Sequence, residues 1–170
     1  MTQAARAQSC ESPFPMSAVA GAPPLATRFG ALAQDPDRII LFPHGLLGFA
    51  SQRRYLLADI PGADAAFKLL QSIDDPELSF VVLPLDLSDG PIAGPDLLAA
   101  RRALAIEDAA LAVLAIVTLR AEAERVDFTV NLRAPLLVDT SRRLGYQHVL
   151  PDDAYPLRHP LRRADAGHAA

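Results

Sequence analysis

Asp127-Phe128-Thr129-Val130-Asn131-Leu132 alternates polar with apolar side chains at every step. A period of two sends Phe128, Val130 and Leu132 to one face and turns Thr129 and Asn131 outward, so the stretch predicts a β-strand with one buried face. Just upstream, Leu111-Ala112-Val113-Leu114-Ala115-Ile116-Val117-Thr118-Leu119 is apolar on both faces up to Thr118. Its β-branched residues predict a central strand covered on both sides. The same pattern of short apolar runs parted by turn chemistry continues toward the N-terminus. Residues 54–58, 67–72 and 78–83 read as strands of a meander. Asp59-Ile60-Pro61-Gly62 and Asp74-Asp75-Pro76-Glu77 supply the turns between them. Residues 27–33 and 38–42 are expected to pair as a hairpin across Gln34-Asp35-Pro36-Asp37, with Pro43-His44-Gly45 ending it.

One helix interrupts this pattern. Pro95 fits the first helical position, Asp96 the first turn, and Leu97, Ala100 and Leu104 share a face from which Arg102 points away. The fold class is therefore mainly β, antiparallel, in a single domain. The chain has 170 residues, 51% of them hydrophobic, which is enough for one apolar core. Residues 1–25, rich in Ala, Ser, Gly and Pro without apolar period, are expected to form a flexible arm. Residues 26–161 should form the domain and 162–170 a flexible tail.

The lone Cys10 cannot pair within the chain, as suits a reducing compartment. The longest apolar run, 109–117, falls short of the roughly 18 residues of a spanning helix. The first residues lack the charged-then-apolar order of a signal peptide. These features predict a cytoplasmic protein. A net charge of −4 and 6% aromatic residues argue against direct binding of nucleic acid.

Catalytic constellations are not evident, and no catalytic residue, metal ligand or cofactor is expected. His44, His148, His159 and His168 lack the spacing that puts two ligands on one helix face. Ser72, Ser79 and Ser88 lie in no Gly-x-Ser-x-Gly elbow. Gly45-Leu46-Leu47-Gly48-Phe49 lacks the Lys and hydroxyl of a phosphate loop. Its glycines are read as permitting positive φ or close backbone approach, while Leu46, Leu47 and Phe49 plug the core.

Charge is unevenly distributed. Six acids (Asp64, Asp74, Asp75, Glu77, Asp86, Asp89) face one base, Lys68, between residues 64 and 89, and six arginines face three acids between 133 and 163. Ordinary solubilising surface accounts for this, and so does a polarised surface that steers a basic partner.

Four segments in order resemble one family, the flagellar assembly factor FliW. They are Ile40-Leu41-Phe42-Pro43-His44-Gly45-Leu46-Leu47-Gly48-Phe49, Phe67-Lys68-Leu69-Leu70-Gln71-Ser72-Ile73-Asp74-Asp75-Pro76, Thr129-Val130-Asn131-Leu132-Arg133-Ala134-Pro135-Leu136, and Gly145-Tyr146-Gln147 running on to Tyr155. The resemblance spans about residues 27–161. It implies a small antiparallel β-barrel-like domain with one or two short helices and no enzymatic activity. It also implies two protein partners, flagellin and the CsrA-type RNA-binding repressor. Export of flagellin would free the protein to capture the repressor and lift repression of flagellin synthesis.

Exposure arguments nominate the partner-binding residues. Asp74, Asp75 and Glu77 are the electrostatic candidates. Thr129 and Asn131 are the outward residues of their strand, although the Asn131 amide could equally pin a local turn. Gln147 serves either recognition or the capping of a sheet edge. Two alternatives stand beside this reading: a small β-barrel ligand-binding protein or enzyme using His44 or the Asp74 and Asp75 pair, and a structural flagellar component.

Overall fold

The computed structural model describes residues 22–107, 110–122, 125–151 and 153–161. Through them the chain runs β1 (Leu25–Thr27), β2 (Gly30–Leu32), a 3₁₀ turn (Pro36–Arg38), β3 (Ile39–Leu41), β4 (Arg54–Asp59), β5 (Lys68–Ser72), β6 (Ser79–Pro84), α1 (Gly94–Ala103), β7 (Leu111–Glu122), β8 (Arg125–Val130), β9 (Leu136–Asp139), β10 (Leu144–Gln147) and β11 (His159–Pro160). The meander predicted from residue 54 onward is present, each strand antiparallel to the next from β4 to β7.

β7 organises the sheet because one of its edges serves two partners in succession. Its first half pairs with β9, Leu111 opposite Asp139 through Leu114 opposite Leu136, and its second half pairs with β8 from Val117 onward. β9 continues into β10, and β10 meets β3 at Leu144 and Leu41. The ring β3–β4–β5–β6–β7–β9–β10 thus closes into a seven-stranded barrel, with β8 and β11 extending from β7. The closing β10–β3 contact is parallel, the one departure among the described residues from the expected antiparallel order.

Two clusters follow from the pleat. Ile40, Tyr55, Leu70, Val82, Leu114, Leu136 and Val138 come from strands on all sides of the ring and meet with Phe42 and Leu46. Side chains from opposite sides of a closed ring can meet only inside it, so this cluster lies within the lumen. The alternate residues of β7, Val113, Ala115 and Val117, point outward and are covered by Leu97 and Ala100 of α1 together with Ile106, Leu132, Leu150 and Tyr155. The doubly apolar reading of this stretch is correct, and the strand extends beyond it. The expected face of α1 is also correct. Pro95 occupies the second helical position rather than the first, and the Tyr155 hydroxyl docks the helix start by accepting from Ala93 N–H (3.1 Å) and donating to Asp96 (2.5 Å).

Three expectations need correction. The first hairpin lies between β1 and β2, turning at Arg28-Phe29 with Thr27 Oγ1 taking the Phe29 N–H, while β3 pairs with β4 instead. Asp35 and Pro36 start the 3₁₀ turn, the Asp35 carboxylate accepting from Asp37 N–H. Of the supposed core plug, only Leu46 is buried. Thr129 is half-buried rather than open because β11 pairs alongside it, Pro160 opposite Thr129. The arm up to residue 21, the tail from 162 and Cys10 lie outside the described residues. No helix among the described residues is long and apolar enough to cross a membrane.

Ring closure depends on a missing side chain. A Cβ at Gly145 of β10 would stand 2.4 Å from Phe42 Cζ, and Phe42 is fully buried in the lumen. Gly145→Ala is therefore expected to cost about 1–3 kcal/mol through overpacking. Urea unfolding would record this as a lower midpoint at unchanged slope, and an unaltered midpoint would contradict the packing described.

Candidate functional site

The strands give the barrel two distinct ends. β5 runs from Lys68 at one end to Ser72 at the other, and its antiparallel neighbours begin or finish accordingly. The Ser72 end gathers the loop after β3, the turn between β5 and β6, the segment before β9 and the exit of β10. Backbone in such connections must find partners outside the strand ladders, and here conspicuous side chains supply them.

Gln71 is wholly buried, and its Nε2 donates to the carbonyls of Pro76 (3.0 Å) and Leu78 (2.9 Å). Ser72 Oγ accepts from Asp75 N–H (3.0 Å). Asp74 accepts from the N–H groups of Arg53 (2.8 Å) and Arg54 (2.9 Å) and pairs with the Arg54 guanidinium (2.7 Å). Asn131 Oδ1 accepts from Ala134 N–H (3.0 Å), so its amide pins the turn. Gln147 bridges two segments, its Oε1 accepting from Leu47 N–H (2.8 Å) and its Nε2 donating to the Ala134 carbonyl (3.3 Å).

What this framework holds out is a tight turn. Phe49 N–H donates to the Leu46 carbonyl (2.7 Å), leaving Leu47 and Gly48 at the tip, and Gly48 sits at φ +84°. Gly45 is at φ +65°, where a Cβ would meet Phe49 O at 2.4 Å, so both positions need glycine. Leu46 points inward at 3% exposure, whereas Leu47 is 62% and Phe49 37% exposed. Phe49 packs edge-on against Phe80 of β6, ring centroids 5.4 Å apart. Phe80 follows closely on the turn that carries Asp75 and Glu77. The loop end therefore presents two apolar side chains on a braced turn beside two acids, the composition of a protein-docking patch.

Of the nominated residues, Asp74, Asp75, Glu77, Asn131 and Gln147 belong to this end. Thr129 belongs to the β7–β8–β11 extension. Asp74, Asn131 and Gln147 direct their polar atoms into the framework, and half-buried Asp75 joins them by accepting from Glu77 N–H (3.1 Å), which leaves the exposed Glu77 as the acid that projects from the turn. Burial pushes the Tyr55 hydroxyl in the adjacent lumen up to about 12, and the charges of Asp74 and Asp75 add to the effect. Sequence reasoning missed Leu47 and Phe49, for which the two flanking glycines were the available signal. Among the described residues no group of three or more His, Cys, Asp or Glu is placed to hold a metal ion.

Comparison with known proteins matches residues 25–161 to the family described as FliW protein. The chain is 37% identical over 144 residues to the flagellar assembly factor FliW of an Exiguobacterium species, covering 78% of this chain and 90% of that one. It is 36% identical over 137 residues to that of Magnetococcus marinus, covering 79% and 82%. A crystal structure of the flagellar assembly factor FliW superposes with a TM-score of 0.62 at 26% identity, covering 83% of this chain and 98% of that one.

The Asp74 clamp has a pH signature. Burial raises its pKa, but the N–H groups of Arg54 and Arg53 and the Arg54 guanidinium outweigh that and hold it below the ordinary carboxylate value. The stability it adds is complete above the unfolded value of about 3.9 and is lost as the pH falls through the lower folded one. Asp74→Asn should cost about 1–3 kcal/mol at neutral pH. It should also flatten the decline of stability between about pH 5 and pH 2. Urea titrations across that range check both, and a decline as steep as in the parent chain would contradict the clamp.

Proposed function

The chain belongs to the FliW family of flagellar assembly factors, and from that we propose that it is a cytoplasmic regulator whose loop end holds protein partners. The partners are flagellin and a CsrA-type repressor, bound in exchange. While flagellin is abundant it occupies the protein. As flagellin is exported, the freed protein captures the repressor and relieves flagellin synthesis. Such a switch needs only mass action between two complexes, each drawing on the same pool.

The observation that supports this reading most is the pairing of a braced apolar tip, Leu47 and Phe49, with the acids Asp75 and Glu77. A turn already fixed by Gln147 and two glycines loses little conformational entropy on binding, so its apolar contacts count nearly in full. The acids favour encounter with a basic partner and act mainly on the association rate. No catalytic role is assigned to any residue.

Purified flagellin and repressor, each titrated against the chain, test the proposal. Leu47→Ser with Phe49→Ser removes the apolar tip at exposed positions. It should weaken binding by about thirtyfold or more, the loss of one binding hot spot, while costing only about 1–2 kcal/mol of unfolding free energy, through the lost contact of Phe49 with Phe80. Glu77→Lys should slow association with the repressor and reduce its dependence on salt. Asp74 and Asp75 are left intact because of their structural bonds. Capture of neither protein by the parent chain would overturn the functional reading, and unchanged affinity in the double variant would remove the loop end from it.

A further inference from the structure

The opposite end of the barrel is open. A cavity of about 400 Å³ enters the lumen there, within the range of small-molecule sites. Its floor is aliphatic, formed by Ile40, Leu57, Leu114 and Val138, which reach it from four different strands. Its mouth is charged and comprises Arg38, Lys68 and Arg143 with Asp37 and Asp59.

The mouth holds more donors than acceptors. Asp59 accepts from Lys68 Nζ (2.8 Å) and pairs with Arg38 (3.4 Å), Arg38 also pairs with Asp35 beside the mouth (3.7 Å), and Asp37 accepts from Arg143 Nη1 (2.6 Å). Both carboxylates at the mouth are thus engaged. Lysine carries three donor hydrogens and arginine five, and among the described residues Lys68 and Arg143 each spend a donor on one carboxylate only. Arg143 is also held in the left-handed region at φ +54°, unfavourable for a residue with a Cβ, with its carbonyl bonded to Leu41 N–H (2.9 Å). The fold keeps this guanidinium at the rim despite that backbone conformation. An apolar shaft beneath a rim that holds more N–H donors than its carboxylates use matches an amphiphile with an aliphatic tail and an acceptor-only head.

We propose that this end of the barrel is a binding site for a medium-chain aliphatic acid, its chain in the lumen against Leu114 and Val138 and its carboxylate received by Lys68 and Arg143. The site is separate from the loop end, at the other terminus of the same strands.

Methyl-detected NMR titration of the full chain tests it with three probes of one chain length: decanoate, decanol and decyltrimethylammonium, each kept below its aggregation limit. Decanoate should give saturable shifts of the Ile40, Leu57, Leu114 and Val138 methyls, decanol weaker ones and the cationic probe none. Lys68→Gln and Arg143→Gln, both at the surface rim, should each lower decanoate affinity about tenfold, the worth of a charge-assisted hydrogen bond, without changing that for decanol. Shifts confined to exposed methyls such as Leu47, equal binding of the cationic probe, or decanoate affinity unchanged in both variants would each overturn the proposal.

Discussion

Closure of the ring is the constraint on which the rest depends. β10 reaches β3 only because Gly145 leaves room for the Phe42 ring, and the join is sealed by the parallel contact of Leu144 with Leu41. An open sheet of these strands would leave β3 as an exposed edge and Ile40, Leu70 and Val138 without a common interior. Once closed, the same strands define a lumen and two mouths. The pleat then assigns every second residue to the lumen and the others to an outer face that α1 and the segments after Val130 cover in part.

The two ends differ because their connections differ. At the loop end, long connections bring many backbone groups that the ladders cannot satisfy. Gln71, Ser72, Asp74, Asn131 and Gln147 satisfy them. These side chains make a scaffold, and the residues that project from it, Leu47 and Phe49, are the ones with no polar atoms to commit. At the other end Arg38, Asp59, Lys68 and Arg143 ring the mouth, and side chains recede enough there to leave a cavity above Ile40, Leu114 and Val138. The projecting loop tip and the internal cavity are two consequences of one topology.

Much of this was legible in sequence and the rest was not, for physical reasons. The alternation in 127–132 and the doubly apolar run from Leu111 report burial directly, so the strands and the central place of β7 could be read. Asp-Pro chemistry is shared between tight turns and the first turn of a helix, which is why Asp35-Pro36 suggested a hairpin and formed a 3₁₀ cap. The inward or outward sense of Leu46, Leu47 and Phe49 is set by where a two-residue tip falls, not by their hydrophobicity. Whether Gln147 faces a partner depends on the Leu47 N–H, 100 residues away in the chain. Asp74 likewise looks like a surface acid until the N–H groups of Arg53 and Arg54 are seen to converge on it. Local pattern fixes which residues are apolar or polar, while long-range pairing decides which polar groups remain available.

The central claim, that the loop end rather than any other face receives the protein partners, is tested most directly by hydrogen–deuterium exchange of the chain alone and in complex with flagellin. The account predicts slowed exchange confined to residues 44–50 and 73–80, with residues 36–40 and 140–144 at the cavity end unchanged. Protection centred on the cavity end or on α1, with the loop end exchanging as freely as before, would contradict it.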